Sequence, residues 1–325
     1  MKKIKILNNY NFFFFFLLIF SNMMIIFNNF WFSMWIYLEI NLISFIYLMI
    51  NYKNYFHLES SLIYFLINTM ASILLLLSII FLNKMKNMNS IIMISMFMKM
   101  GMAPFHFWMI MMIEMLNWLS IFFMLTWQKI SPMILFYTYN NMNKIILFML
   151  LSMMISSMLG LNYSSLKKIL TYSSINQLNW LMISLLMINK MFKMYFLMYM
   201  YMMFMIIYML NMFNLKYIMN MFLLKNSYYL MLMFCNFLSL GGLPPFIGFF
   251  PKMIIINYMN NNLFILMMIL FTLFPLYYYI RIMICYMMIK KNLMNFMFFK
   301  KKKKKVFMFM MMLSNLMLLI IIMLM

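Results

Sequence analysis

The sequence predicts an all-α polytopic membrane protein with about eleven transmembrane helices in one bundle. Of its 325 residues, 68% are hydrophobic and 9% are charged, and the mean hydropathy is +0.97. A water-soluble globule of this size needs far more polar surface, so these values exclude a soluble fold. Long apolar runs without alternating polarity, such as residues 62–82, favour helices over the strands of a membrane barrel.

The apolar runs have the length of membrane-crossing helices, which take about 20 residues each. Short polar or charged segments separate them, so we expect only short loops and a single transmembrane domain over residues 1–325. The predicted spans are 10–28, 30–50, 60–82, 90–113, 117–138, 144–163, 169–188, 193–213, 228–256, 262–286 and 306–325.

Residue usage indicates an A+T-biased mitochondrial gene of an insect-like type. Met occurs 55 times and Phe 38 times, whereas Gly occurs five times and Pro six times. The abundant residues have A/T-rich codons, and many animal mitochondria also read AUA as Met. Residues that this bias disfavours should mark positions where the chain needs their geometry. They cluster at 101–106 and 241–251, so we expect two discontinuous helices, near 99–108 and 240–252.

Lysines in the loops predict the orientation and the surroundings of the chain. The N-terminus and the loops on its side carry sixteen lysines, and the opposite loops carry five. By the positive-inside rule the N-terminus faces the compartment of synthesis, here the matrix side of the mitochondrial inner membrane. Almost all of the net charge of +22 comes from lysines in loops beside lipid, so no nucleic acid is expected as a partner. The run at 300–305 suits either a solvated loop or an anionic lipid such as cardiolipin.

Three lysines and a glutamate lie inside the predicted spans, and Arg281 lies nearer a helix end. A charge at the bilayer centre costs at least about 2.5 to 3.5 kcal/mol. Such groups usually face the bundle interior or a wet cavity, and lysine, unlike arginine, can be tuned to release and rebind a proton. The four residues are Glu39, Lys99, Lys129 and Lys252.

Each of these lysines lies within five residues of a proline, at positions 104, 132 and 251. A proline inside a helix frees the carbonyl four residues earlier, and internal water can supply a partner for it. A lysine beside a wet helix break is what a proton path through a bilayer requires. The alternative interpretation is that the long lysine stems merely reach the lipid headgroups.

Several segments resemble signatures of the subunit 2 family of mitochondrial NADH:ubiquinone oxidoreductase, respiratory complex I. The similarity runs from about residue 30 to 280, and its segments follow the family's order and approximate spacing. They are 38–41 (LEIN), 99–108 (KMGMAPFHFW), 127–132 (WQKISP) and 241–252 (GGLPPFIGFFPK).

The resemblance implies an antiporter-like subunit that carries protons. Glu39 looks like the family's membrane glutamate, which pairs with the lysine of the first broken helix, here Lys99. Lys129 looks like the central lysine, and Lys252 like the lysine of the second broken helix. His106 matches a family histidine, with a structural hydrogen bond and proton transfer both open as its role.

The resemblance also implies partners and cofactors. The other membrane-arm subunits of the complex would be the partners, and NADH, FMN, iron–sulfur clusters and ubiquinone would bind to other subunits. The chain itself has no His and Cys spacing typical of a metal or redox centre and no nucleotide-binding Gly motif, so we expect it to bind no cofactor and no metal.

The sequence leaves two other functions open, and it departs from the family pattern at one position of interest. The same lysines would suit a free-standing cation/proton antiporter, or a structural membrane subunit in which the charges brace helices. Within the resemblance, Gln177 stands where the family usually has histidine, and glutamine cannot be protonated. Any relay at that position would have to run through water.

Overall fold

The chain is all-α, as predicted. The computed structural model describes residues 2–50, 55–81, 88–137, 142–187, 189–223, 227–244, 246–259 and 262–290. Within these ranges the only strand-like pairing is an isolated bridge between Ser165 and Tyr217. The helices are α1 Lys2–Phe27, α2 Trp31–Met49, α3 Tyr55–Ile80, α4 Met88–Met100, α5 Phe107–Met115, α6 Trp118–Leu125, α7 Ile130–Tyr137, α8 Met142–Gly160, α9 Leu166–Met187, α10 Asn189–Met212, α11 Ser227–Gly241, α12 Phe249–Tyr258 and α13 Asn262–Lys290.

Every predicted span up to residue 286 contains helix, and the last, 306–325, lies outside the described residues. The total of eleven crossings therefore stays a prediction. Five helical stretches of the described chain are long and apolar enough to cross a membrane alone. They are Trp31–Met49, Tyr55–Ile80, Trp118–Tyr137, Lys190–Met212 and Leu263–Ile284.

Helix α3 shows how this composition suits lipid. Large apolar side chains at 62, 66, 70, 73 and 77 are exposed, and their spacing of three or four residues places them along one helical face. The opposite face is buried and carries Tyr64, Asn68 and Ser72. Lipid can cover the apolar face, and Tyr64, Asn68 and Ser72 point into the protein.

The two predicted helix breaks are present and share one design. Helix α4 ends in a loop where Gly101 has a φ of +65°, and α11 ends where Gly242 has a φ of +77°. At each break the next residue's N–H reaches back five positions, from Met102 to the Phe97 carbonyl (3.1 Å) and from Leu243 to the Leu238 carbonyl (3.4 Å). This is the glycine-terminated helix end in which only glycine adopts the left-handed conformation without strain.

A third break interrupts the span predicted as continuous over 117–138. Helix α6 ends at Leu125, Trp127–Lys129 forms a 3₁₀ turn, and α7 begins at Ile130. The expected effect of the prolines also needs correction. Pro132 and Pro251 lie in the first turns of α7 and α12, where backbone N–H groups have no helical acceptor in any case, so they begin helices instead of kinking them.

Contacts divide the described chain into two compact units, residues 1–148 and 149–325. In the first, α2 packs against α1 and α3, and α3 packs against α4 and α5. In the second, α9 packs against α10, α12 and α13 and is buried at every position from Ile169 to Leu185. Lys99 and Lys129 belong to the first unit and Lys252 to the second. The single domain over residues 1–325 stays a prediction.

Candidate functional site

Two of the predicted lysines line one cavity in the first unit. Lys99 comes from the last turn of α4, and Lys129 from the 3₁₀ turn before α7. The space open to the centres of water molecules is about 20 Å³, and a single water needs about 10 to 15 Å³. Polar side chains also line it, namely Asn41, Tyr64, Asn68, Gln128 and Ser131. The cavity therefore has the size and the polarity to hold water between two ammonium groups.

Glu39 approaches this cavity from α2. Its carboxylate interacts through space with the Lys99 ammonium and with the Tyr64 hydroxyl. The carboxylate oxygen Oε1 is buried and accepts no hydrogen bond from the described residues. The structure thus brings Glu39 and Lys99 within electrostatic range, and it leaves a buried acceptor on the carboxylate.

A hydrogen-bonded chain of neutral side chains runs beside the two lysines. The Tyr64 hydroxyl donates to Gln128 Oε1 (3.2 Å), and Gln128 Nε2 donates to Asn41 Oδ1 (3.0 Å). Asn41 Nδ2 in turn donates to Asn22 Oδ1 (2.7 Å) and to Ser131 Oγ (3.3 Å). The sequence reasoning missed this chain, because Asn and Tyr are abundant under A+T bias and do not stand out as rare residues.

His106 lies apart from the cavity lining, in the loop between α4 and α5. Its side chain is buried, and Nδ1 lies 3.2 Å from the Pro104 carbonyl oxygen. This contact lies within the loop that separates Lys99 from α5. Both roles left open for His106 stay predictions.

Lys252 in the second unit is held at the end of a broken helix. The side chain is buried, and Nζ donates to the carbonyl of Gly241, the last residue of α11, at 3.1 Å. The ammonium also lies 5.8 Å from the centre of the Trp180 ring. A cation at a helix C-terminus and over an aromatic face is favourable on both counts.

Comparison with known proteins identifies the family. A family model described as NADH:quinone oxidoreductase/Mrp antiporter, transmembrane, matches residues 28–97 and 85–275. An NADH-ubiquinone oxidoreductase chain 2 from Anopheles gambiae is 38% identical over 250 residues, covering 73% of each chain. The chain belongs to the NADH-ubiquinone oxidoreductase chain 2 family. Other chain 2 relatives are 34% identical in Locusta migratoria, over 71% of each chain, and 32% identical in Ailuropoda melanoleuca, over 74% of each chain. The predicted family resemblance is confirmed.

Solved structures share the fold of this chain 2 family member. A chain of respiratory complex I from Thermus thermophilus with bound aureothin matches with a TM-score of 0.69 and 19% identity, over 77% of this chain and 64% of that one. A chain of an archaeal membrane-bound sulfane sulfur reductase matches with a TM-score of 0.73 and 14% identity, over 94% of this chain and 72% of that one. At these identities the likeness shows the fold alone.

Gln177, the departure from the chain 2 family pattern, helps to hold the second break. Gln177 Nε2 donates to the carbonyl of Leu240 (2.7 Å), and the Tyr195 hydroxyl donates to Gln177 Oε1. Gln177 therefore binds the carbonyl next to the one that holds Lys252. Because both Nε2 and Oε1 of Gln177 are hydrogen-bonded, its amide holds the C-terminal end of α11 in place.

Arg281, which the sequence places near a helix end, binds backbone carbonyls. Its guanidinium donates to the carbonyls of Leu161 and Tyr163 (2.7 Å for Tyr163), just beyond the C-terminal end of α8. One planar side chain thus satisfies two backbone carbonyls of the loop that follows α8. Among the described residues no group of three or more His, Cys, Asp and Glu is placed to hold a metal ion. The expected absence of a cofactor stays a prediction.

Proposed function

We propose that this chain is a core proton-translocating membrane subunit of respiratory complex I, which couples NADH oxidation and ubiquinone reduction to proton pumping. In this proposal it is part of a translocase and carries out no redox chemistry itself. Membership of the chain 2 family supports the assignment to the complex. The observation that carries the transport role is the polar cavity that Lys99 and Lys129 share within the first unit.

Proton transfer in the first unit would begin at Glu39 and Lys99. Ubiquinone reduction elsewhere in the complex would change the separation of the two groups and so change the proton affinity of Lys99. The cavity offers a route from Lys99 to Lys129 through about one water molecule. Moving one charge against 100 mV takes about 2.3 kcal/mol, and a change of two pKa units is worth about 2.7 kcal/mol. One change in the separation of Glu39 and Lys99 can therefore supply enough free energy to move one proton against 100 mV.

Lys252 would take the corresponding role in the second unit. Its ammonium donates to the Gly241 carbonyl, so releasing a proton from Lys252 weakens a bond that holds the broken helix. Proton transfer and the position of the α11 end are thereby linked. The Gln177 amide, which binds the adjacent carbonyl, keeps that end in place while Lys252 changes protonation state.

The proposal extends to location and partners. The chain would lie in the mitochondrial inner membrane with its N-terminus in the matrix, beside the other membrane-arm subunits and in contact with lipid. The redox cofactors and the ubiquinone site would belong to other subunits. The loop lysines and the family membership support this placement.

The test is to replace Lys129 with Met and to measure protons moved per NADH oxidised by the assembled complex in sealed vesicles. We expect Lys129→Met to lower this ratio, because Met fills the space but cannot carry a proton. The matched control is Lys190→Met on the exposed first turn of α10, which should pump normally. Unchanged pumping by an assembled Lys129→Met complex would overturn the proposal and favour a structural subunit. Failure of the chain to purify with NADH dehydrogenase activity would favour a free-standing antiporter.

A further inference from the structure

Lys129 is the last residue of a short irregular segment whose own backbone hydrogen bonds do not fix its conformation. Trp127–Lys129 forms a single 3₁₀ turn between α6 and α7, and the Lys129 N–H donates to the Thr126 carbonyl at 3.3 Å. Such turns have poorer hydrogen-bond geometry than an α-helix and seldom extend further. The direction in which Lys129 points therefore depends on contacts from outside the segment.

Side chains of three other helices supply those contacts, and they bind residues on both sides of Lys129. Asn22 on α1, Asn41 on α2 and Tyr64 on α3 donate hydrogen bonds, and Gln128 donates one back to Asn41. The bonds, donor first, are Asn22 Nδ2 to the Trp127 carbonyl (3.4 Å), Asn41 Nδ2 to Ser131 Oγ (3.3 Å), Asn41 Nδ2 to Asn22 Oδ1 (2.7 Å), Tyr64 Oη to Gln128 Oε1 (3.2 Å) and, in the reverse sense, Gln128 Nε2 to Asn41 Oδ1 (3.0 Å).

The bonds fit together in only one orientation of each amide. The Trp127 carbonyl can only accept, so it fixes the Asn22 amide, and Asn22 Oδ1 in turn fixes the Asn41 amide. Reversing Gln128 would then place its oxygen against Asn41 Oδ1, two acceptors together. Asn41 is 2% exposed and Tyr64 is 4% exposed, so water cannot readily replace a lost partner. Loss of one member would therefore release its neighbours and loosen the segment around Lys129.

These side chains are neutral, in contrast to the lysines that they surround. The titratable groups lining the cavity are Tyr64, Lys99 and Lys129, with Glu39 in electrostatic range. Locked amides hold dipoles in place but do not pass protons on. Asn41 also stands two positions from Glu39 on α2, so one helix carries both the carboxylate and the amide that holds the Lys129 segment.

We propose that Asn41, Tyr64 and Gln128 are positioning residues for proton transfer, which hold Lys129 at the cavity and tie it to the helix that carries Glu39. The proposal rests on the proposed role of Lys129. It goes beyond that role by assigning a function to neutral side chains that neither accept nor release the transported proton.

The experiment compares Gln128→Leu, Tyr64→Phe and the double variant in the assembled complex in sealed vesicles. NADH oxidation and protons moved per NADH are measured over a range of pH. Gln128→Leu removes two buried hydrogen bonds, the one from Tyr64 and the one to Asn41. We expect it to lower the proton ratio and to displace the pH profile of pumping by about 1.5 units, equivalent to about 2 kcal/mol for the two bonds. Tyr64→Phe should do the same less strongly. It should add little to Gln128→Leu, because Tyr64 acts through Gln128.

Two controls separate positioning from general stability. Tyr37→Phe makes the same substitution as Tyr64→Phe, at a half-buried position of α2 outside the cavity lining. It should leave the pH profile of pumping unchanged. Ser78→Ala removes a buried hydroxyl that donates to the Leu75 carbonyl of its own helix, and it should also pump normally.

The outcomes distinguish this proposal from the proposed function. If the Gln128→Leu and Tyr64→Phe complexes keep the wild-type proton ratio and pH profile per assembled complex, the hydrogen-bonded chain is purely structural and the inference is wrong. If Lys129→Met lowers pumping in the same experiment, the proposed function survives that result. If Lys129→Met also pumps normally, both fail. Should Gln128→Leu not assemble, Tyr64→Phe decides, since it removes a single atom.

Discussion

Gly242 makes room for Lys252, and replacing it with alanine tests the second break. A Cβ at this position would lie 2.8 Å from Lys252 Nζ and 3.1 Å from its Cδ, so the lysine end must move. The backbone there has a φ of +77°, which costs a residue with a Cβ about 1 to 2 kcal/mol. Loss of the charged hydrogen bond to Gly241 adds about 1.5 to 3 kcal/mol. We expect Gly242→Ala to destabilise the assembled subunit by about 2.5 to 5 kcal/mol in all.

The assay combines thermal stability of the purified complex with protons moved per NADH. Gly242→Ala should lower both, and Gly241→Ala provides a neighbouring control. A Cβ on Gly241 would meet Tyr279 at an ordinary 3.6 Å, and the carbonyl that binds Lys252 stays unchanged. Because Gly242 acts through Lys252, Gly242→Ala should lower pumping no further once Lys252 is Met. Normal pumping by Gly242→Ala, or a loss equal to that of Gly241→Ala, would refute this reasoning.

Three more predictions concern single contacts. Glu39→Gln keeps the side-chain shape but removes the charge that acts on Lys99, so we expect an assembled complex with fewer protons per NADH; a wild-type ratio would be inconsistent with a role in the switch. Tyr195→Phe removes one donor to Gln177 and should cost about 1 kcal/mol of stability, seen as a lower melting temperature, while pumping continues. Arg281→Met removes two charged bonds to carbonyls beyond α8 and should cost about 3 kcal/mol or more in the same melting assay; an unchanged melting temperature would show that these bonds add nothing.

The helix breaks show how far local sequence reasoning reaches. The ends of α4 and α11 were predictable because glycine is rare in this chain, and Gly101 and Gly242 mark backbone that other residues adopt only with strain. The break before α7 has no glycine, and its only local marker is Pro132 in the first turn of α7. Thr126 and the 3₁₀ turn after it carry neither glycine nor a proline inside the turn, and contacts from distant helices accompany the irregular geometry.

The residues of the candidate site also differ in whether the sequence alone could identify them. Lys99, Lys129 and Lys252 stood out from sequence because a charge in an apolar span is costly unless the protein provides for it. The neutral chain through Tyr64 and Gln128 did not stand out, because a single amide or phenol in a span is inexpensive and only tertiary packing shows whether it is linked to others. The cavity itself is lined by residues of seven separate helical segments and has no local signature.

A density map of the assembled complex that resolves buried water tests the central claim most directly. The claim is that Lys99 and Lys129 exchange protons through one wet cavity. The account predicts at least one ordered water in this cavity, within hydrogen-bond distance of a lysine Nζ and of one of the polar side chains that line it. A dry cavity, in a map that shows other buried waters of the same complex, would contradict the account.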